Sequence, residues 1–479
     1  MNRQPKSTAR TGVWCESSGD GIAGFTGTSE TNVGFTGGLG RGGFGAWRRL
    51  WYGFAAELRL GGAQRSVSEL EVGTAGMAKK TIEHIEVASK RVLMRVDFNV
   101  PLDDDGAITD DRRIRLALPS IQSVVQRQGR LILISHLGRP DGTGYEARLS
   151  LKPVADRLGE LIGDVAVRFV GGDCVGAEAA EAATGLGDGQ VIVLENLRFN
   201  PGENAGDAPF AAQLAGLGDV YCNEAFGTAH RDDASMVALP KAMNNKPKVA
   251  GLLLEREIRF LGDTLAEPAR PFVAVLGGAK VSDKLGAIRN LMTIVDMVLV
   301  GGAMAYTLLE ALGRDVGSSK VQRGMLGQAQ QIIDAAAASP VDLILPLDHV
   351  CGKQISRVTP VRVVGESIPQ GWMGLDIGPE TVAQYVRELS KAKTIVWNGP
   401  VGVVEVPPFD VGTKQIAQAM VRATEAGATS IGGGGDTAAA IEGFGLSDRF
   451  THVSTGGGAC LRMLEGQRFT SVDLLDEAD

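Results

Sequence analysis

The chain has 479 residues, of which 44% are apolar and 22% charged, and a formal net charge of -8. That length exceeds one ordinary hydrophobic core, so two domains are expected, and the composition excludes a fibrous or wholly disordered protein. The negative balance excludes a general nucleic-acid binder, no apolar run reaches bilayer-spanning length, and five scattered cysteines without a CxxC pair fit free thiols in the cytoplasm.

Residues 1–76 stand apart from the rest of the chain. They are rich in Gly, Ser and Thr, show no sustained period, and hold three of the five tryptophans (Trp14, Trp47, Trp51). Eight Lys/Arg against six Asp/Glu make this segment +2, leaving -10 for the remainder. A secretory signal needs an apolar core behind an early basic start, and a transit peptide is poor in acids; Glu16, Asp20, Glu30, Glu69 and Glu71 count against the latter. The expectation is that translation starts at Met77 and that the preceding segment is a gene-model artefact. A weakly ordered appendage with a short helix around Ala46–Leu60 is the alternative.

From Met77 the chain takes on the βαβ rhythm of a parallel sheet. Val92–Val96 reads as a strand closing on Asp97-Phe-Asn-Val-Pro101, and a helix begins at about Asp111, carrying Arg112, Arg113 and Arg115. Leu131–Ile134 closes on Ser135-His-Leu-Gly-Arg-Pro140, Val191–Leu194 on Glu195-Asn-Leu-Arg-Phe199, and Asp219–Cys222 on Asn223–Arg231. Helical patterns at Leu151–Ile162 and Ala208–Ala215 separate them. Four of these strand-end clusters or their following helices contain an arginine: Arg113, Arg139, Arg198 and Arg231. Ligands of open parallel sheets sit at the carboxyl ends of strands, and a guanidinium grips phosphate or carboxylate in two places. A single arginine is ordinarily a solvated ion pair; four at strand ends imply a small, highly charged anion.

A helical pattern over residues 251–265 precedes the proline-marked break Glu267–Pro271, which places the domain boundary at 251–270. The second half then opens on Phe272–Leu276, a β-branched strand that breaks at Gly277-Gly278, with Lys280 and Lys284 beyond and a helix expected from Ser282-Asp283. Such a turn suits phosphate, yet no Gly-Lys-Ser/Thr ends it, so it is not a P-loop. Further strands are expected at Met297–Val300, Asp342–Asp348, Thr394–Trp397, Ser430–Gly433 and His452–Ser454. Their ends carry glycines, which let a base and a polyphosphate lie against backbone. Asp436, after Gly432–Gly435, is placed for a phosphate-bound Mg²⁺ and also for capping the helix after it. Gly456-Gly-Gly458 opens a last helix whose start favours an anion. Two lobes, one presenting arginines and one presenting glycines, lysines and an acid, point to phosphoryl transfer, and no Ser–His–Asp or Cys–His arrangement is evident.

Arg95–Pro101, Ser135–Pro140, Glu195–Phe199, Asn223–Arg231, Gly277–Lys284, Trp397–Glu405, Gly433–Thr437 and Ser454–Ala459 together resemble phosphoglycerate kinase, in that family's order and over essentially all of residues 77–479. The resemblance implies two Rossmann-like α/β lobes: a phosphoglycerate domain at 77–250, a helix and linker at 251–270, a nucleotide domain at 271–455, and a segment 456–479 returning to the first lobe. It implies a monomer, using Mg²⁺ with ADP or ATP, that transfers the acyl phosphate of 1,3-bisphosphoglycerate to ADP after hinge closure. By position, Asp97, Asn99, Arg113, His136, Arg139, Arg198 and Arg231 would hold phosphoglycerate, with Arg113 nearest the transferring group. Lys280 would meet that group in flight, and the helix start at Gly456 and Gly457 would face it. Lys284, Asn398, Gly433, Gly434, Gly435 and Thr437 would surround the nucleotide phosphates, Asp436 would take the metal, Glu405 the ribose, and Gly277, Gly278, Gly301 and Leu375 the adenine.

Two departures stand out. Asp232-Asp233 comes after Arg231 where the family often has Ala-His, and Ala303 stands where a third glycine is frequent. A catalytically silent nucleotide-binding scaffold would lose Lys280, Arg113 or Asp436, all of which are present. An acyl-phosphate-forming ligase would need a site for an amine or thiol acceptor, and none shows.

Overall fold

The computed structural model describes residues 78–478, so the expectations for 1–76, for a helix around residues 46–60 and for a start at Met77 lie outside the described residues. The first sheet has six parallel strands: β1 (Arg91–Arg95), β2 (Arg130–Ile134), β3 (Val167–Val170), β4 (Val191–Leu194), β5 (Val220–Asn223) and β6 (Lys248–Ala250), in the order β3-β4-β2-β1-β5-β6. Its strands read as apolar runs because both faces are covered: Leu93, Ile132 and Ile134 pack on one side, Val92, Met94, Leu131 and Leu133 on the other. β1 lies between β2 and β5, so connections leave it in opposite directions and open a crevice at its carboxyl end, where Asp97 lies.

The second half begins with β7 (Phe272–Leu276), β8 (Met297–Val300) and β9 (Asp342–Ile344). Next come β10 (His349–Gly352), β11 (Val361–Val364) and β12 (Met373–Ile377), which form a small antiparallel sheet in the order β11-β10-β12. β13 (Thr394–Asn398), β14 (Thr429–Gly433) and β15 (His452–Val453) complete a second parallel sheet, β15-β14-β13-β7-β8-β9, with β7 at its point of reversal. The antiparallel sheet is absent from the sequence reading, and the strand expected over 342–348 stops at Ile344. Pro346 cannot donate to a ladder, and His349–Gly352 lacks the apolar run that marks the parallel strands.

Two helix starts also differ from expectation. The helix after β7 begins at Leu285, with Lys284 at its cap position, so Ser282 and Asp283 belong to the preceding turn. The Gly435–Gly443 helix begins one residue before Asp436, whose carboxylate therefore sits in the first turn and makes no hydrogen bond to another described residue.

The linking helix, Leu252–Ala266, buries Leu254 and Leu261 in a cluster that also contains Tyr221 and Phe226 of the first lobe and Phe272 of the second. Its first turn is capped from outside: Glu224 accepts the N–H groups of Leu253 and Leu254 and the hydroxyl of Ser120. Burial pushes the Glu224 carboxyl up to about 7, against the pull of those bonds. Because its folded value lies above the ordinary 4.5, the stability it contributes is complete below that value and is lost as pH rises through about 7. Glu224→Gln is expected to flatten this fall, seen as urea midpoints that no longer drop between about pH 5 and pH 8. A drop as large as that of the unaltered chain would show that another group is responsible.

The chain's far end returns to the first sheet. Ser471 donates to the Ala229 carbonyl at 2.7 Å, Asp476 N–H to the Lys248 carbonyl at 2.8 Å, and Lys79 pairs with Glu477 at 2.5 Å. Cys174, Cys222, Cys351 and Cys460 are free thiols, all buried, and no helix among the described residues is long and apolar enough to cross a membrane.

Candidate functional site

At the end of β1 the chain turns sharply, and its polar residues organise one another. Asp97 Oδ2 accepts from Arg113 Nη1 at 2.8 Å, and Asn99 Oδ1 accepts the Gly138 N–H at 2.8 Å, which ties the turn after β1 to the turn after β2. Arg198, only 3% exposed, donates through Nη1 to the Gly138 carbonyl, yet its Nε and Nη2 have no hydrogen-bond partner among the described residues. Arg231 Nε is buried and likewise unpartnered among the described residues. Buried donors are nearly always satisfied, so these unused N–H groups mark a place built for an acceptor. Burial first, and Arg231 next, pull the Arg198 guanidinium below its ordinary range, while Asp233 acts the other way. Arg139 is exposed and makes no hydrogen bond to another described site residue.

His136 is buried among these cations. Desolvation, then Arg95, Arg198, Arg231 and Arg113, hold its pKa well below the usual histidine range, so the ring is neutral. Arg95 Nη2 lies 3.1 Å from His136 Nδ1; a guanidinium only donates, so the ring proton belongs on Nε2. Arg95 is fully buried, bonds Ser235 Oγ at 2.8 Å and the Val96 carbonyl, and faces Glu203 at 4.0 Å. Glu203 in turn accepts from Ser235 Oγ and N–H, and burial pushes its carboxyl up.

The second lobe supplies backbone. At Gly277 a Cβ would lie 2.1 Å from the Pro400 carbonyl oxygen, and at Gly301 one would lie 2.5 Å from Val401, so only glycine admits this stacking of turns. Lys284 donates to the Asn398 carbonyl at 3.3 Å, and burial lowers its pKa to about 8 although Cys460 and Asp436 oppose the shift. Asn398 is buried beside Gly434, and neither of its side-chain polar atoms has a hydrogen-bond partner among the described residues. Thr437 accepts the Gly399 N–H at 2.7 Å, which joins the turns after β13 and β14. Lys280, Asp436 and Glu405 are exposed, and Gly433 and Gly435 flank Gly434. Leu375 is buried on β12, its carbonyl accepting the Val403 N–H at 2.9 Å.

The Gly457–Leu464 helix connects the two groups. A Cβ on Gly456 would strike the Phe226 ring at 2.1 Å, while one on Gly457 would stand 3.7 Å from the Gly435 nitrogen. Asp97, Arg113, Phe226, Gly227 and Thr455 line one small cavity. The helix start therefore packs on Phe226 of the arginine-bearing lobe on one side and lies near the glycine turn preceding Asp436 on the other. Glu257, fully buried on the linking helix, fixes this approach: it accepts from Thr455 N–H and Oγ1 at 2.8 and 3.0 Å and meets His452 Nε2 at 2.8 Å.

The sequence reading missed Arg95, Glu203, Glu224 and Glu257. Arg95 was legible as a charge inside an apolar strand, and Glu257 as an acid on the buried stripe between Leu254 and Leu261. Glu203 gave no such signal, because its burial depends on residues more than thirty positions away.

The family model described as phosphoglycerate kinase matches residues 82–467. The phosphoglycerate kinase of Rhodopirellula baltica is 55% identical over 405 residues, covering 84% of this chain and 100% of that protein. The phosphoglycerate kinase of Chlorobaculum tepidum is 51% identical over 402 residues, with the same coverage of 84% and 100%. Among solved structures, the phosphoglycerate kinase of Coxiella burnetii aligns with a TM-score of 0.74 at 38% identity, over 83% of this chain and 98% of that one. That of Pyrococcus horikoshii gives 0.72 at 30% identity, with the same coverage. Two six-stranded parallel sheets, the paired turns at their facing ends and this agreement along the sequence lead to one conclusion: the chain belongs to the phosphoglycerate kinase family.

Proposed function

We propose that the chain moves the acyl phosphate of 1,3-bisphosphoglycerate directly to Mg-ADP, giving 3-phosphoglycerate and ATP, between sites at the facing ends of its two sheets. The observation that carries this reading is the start of the Gly457–Leu464 helix, packed at once against Phe226 and near Gly435. A group leaving a ligand held by Arg113 would pass that helix start, whose free N–H groups favour developing negative charge. In this reading Asp97, Asn99, His136, Arg139, Arg198 and Arg231 hold phosphoglycerate, the unpartnered N–H groups of Arg198 and Arg231 taking up its oxygens. Lys280 reaches the moving phosphoryl group, and Lys284, Asn398 and Thr437 orient the nucleotide phosphates. Gly277, Gly278, Gly301 and Leu375 form the adenine wall, and Glu405 binds ribose. Residues 77–250 are then the phosphoglycerate domain, 271–455 the nucleotide domain, and 456–479 a strap back to the first.

Asp436 fits the metal of such a nucleotide. No group of three or more His, Cys, Asp or Glu positioned for a metal exists among the described residues, so a cation here would rest on one carboxylate and on phosphate oxygens, which suits Mg²⁺. When bound, Mg²⁺ would neutralise phosphate charge. The protein is further read as a cytoplasmic monomer.

A coupled assay with 1,3-bisphosphoglycerate and Mg-ADP tests the reaction: turnover without any amine or thiol acceptor is expected, and nucleotide binding without turnover would sink the reading in favour of a silent scaffold. Removing residues 1–76 is expected to leave that turnover unchanged, since the family match begins at residue 82. An inactive truncated chain would give the segment a role.

A further inference from the structure

The anion site contains an anion of its own. Asp233 is only 7% exposed, and its Oδ2 stands 3.5 Å from Arg198 Nη2, yet neither atom has a hydrogen-bond partner among the described residues. A charge-assisted bond between such groups closes to about 2.7–2.9 Å. Here the two charges are adjacent without being joined, so each keeps hydrogen-bonding capacity unused. The neighbouring arginines are treated differently: Arg113 is bonded to Asp97 at 2.8 Å, and Arg95 sits among Ser235, His136 and Glu203. The Asp233 main chain is fixed, its carbonyl accepting the N–H groups of Met236 and Val237, and the carboxylate it carries is buried beside Arg198.

We propose that Asp233 is a built-in counter-anion that neutralises Arg198 in the empty site and thereby sets the affinity for phosphoglycerate. An incoming phosphate or carboxylate takes the unused donors of Arg198, but does so against the repulsion of a buried carboxylate that is already there. Asp233 is a positioning and affinity-setting residue in this account, not a catalytic one. The inference rests on the proposed role of Arg198 in holding phosphoglycerate.

The test uses the full chain and three substitutions, with a fourth in reserve. Asp233→Asn keeps the shape and removes the charge. It is expected to lower KM for 3-phosphoglycerate by about three- to tenfold, as loss of one nearby like charge implies. The inhibition constant of inorganic sulfate against 3-phosphoglycerate should fall in parallel, while KM for ATP stays put. Asp233→Glu keeps the charge and should behave like the unaltered enzyme. Arg198→Lys should raise KM for 3-phosphoglycerate. If Arg198→Lys raises that KM but Asp233→Asn leaves it unchanged or raises it, or if Asp233→Glu behaves like Asp233→Asn, the counter-anion proposal fails while the anion site stands. If Arg198→Lys leaves KM unaltered, the assignment of Arg198 itself fails. Should Asp233→Asn not fold, Asp233→Ser carries the same expectation.

Discussion

Lys280→Ala is expected to lower turnover by well over tenfold while leaving the fold's stability unchanged. Lys280 is exposed, with no hydrogen bond or ion pair to another described residue, so its removal opens no cavity and strands no partner. In the proposed mechanism it removes a positive charge aimed at the moving phosphoryl group, and a donor that meets charge developing only during transfer is worth about 3–4 kcal/mol. The loss should fall on kcat and kcat/KM alike. Arg113→Ala should show a comparable loss of turnover by a different route. There Asp97 also loses the partner it holds at 2.8 Å, and its carboxylate is freed to repel the incoming anion. KM for 3-phosphoglycerate should therefore rise as well. Steady-state kinetics with a denaturation control check both, and turnover like that of the unaltered enzyme in either variant would remove that residue from the proposed mechanism.

Glu203→Ala is expected to cost about 3–5 kcal/mol of stability, because it leaves the Arg95 charge buried without its carboxylate. Both side chains are fully buried, and the substitution also strands Ser235, whose N–H and hydroxyl both end on Glu203. Their 4.0 Å separation makes the pair itself a modest source of attraction. The double replacement Arg95→Met with Glu203→Leu should thus be much milder than Glu203→Ala alone, since no unpaired charge remains. Guanidinium midpoints for these variants decide the matter: a double variant as damaged as the single one would show that shape, not charge, holds this region. The double variant should still bind phosphoglycerate poorly, because His136 loses the Arg95 contact at Nδ1 that fixes its tautomer.

Much of the architecture was legible because parallel strands buried on both faces write themselves as apolar runs. Phe272–Leu276 coincides with the observed strand, and Val92–Val96 is displaced from it by one residue. The antiparallel sheet was hidden for the converse reason: Val361, Arg362 and Val363 are exposed, so β11 carries no run to detect. The helix after β7 was misplaced because Ser282 and Asp283 have capping chemistry but serve the turn instead, Ser282 Oγ bonding Asp283 at 3.0 Å. The arginines and glycines of the site were visible as recurrent chemistry at strand ends. What composition could not convey is which charges are already answered within the protein. Arg113 and Arg198 look alike along the chain, yet one is bonded to Asp97 and the other waits beside Asp233. Glu203 and Ser235 acquire meaning only when the fold brings them under Arg95.

The clasp at the chain's ends has a mechanical consequence. Because Asp476 is tied to Lys248 and Ser471 to Ala229, the polypeptide runs between the lobes twice, once outward through the linking helix and once back beyond Thr455. Two struts leave a pair of bodies one easy axis of rotation and resist twisting or sliding. Glu257 braces one strut against the other by grasping His452 and Thr455 from the linking helix. The hinge closure that the resemblance implies should accordingly trace a single arc, like a lid on paired pins, so that the arginines would return to the same register with the glycine turns at every cycle.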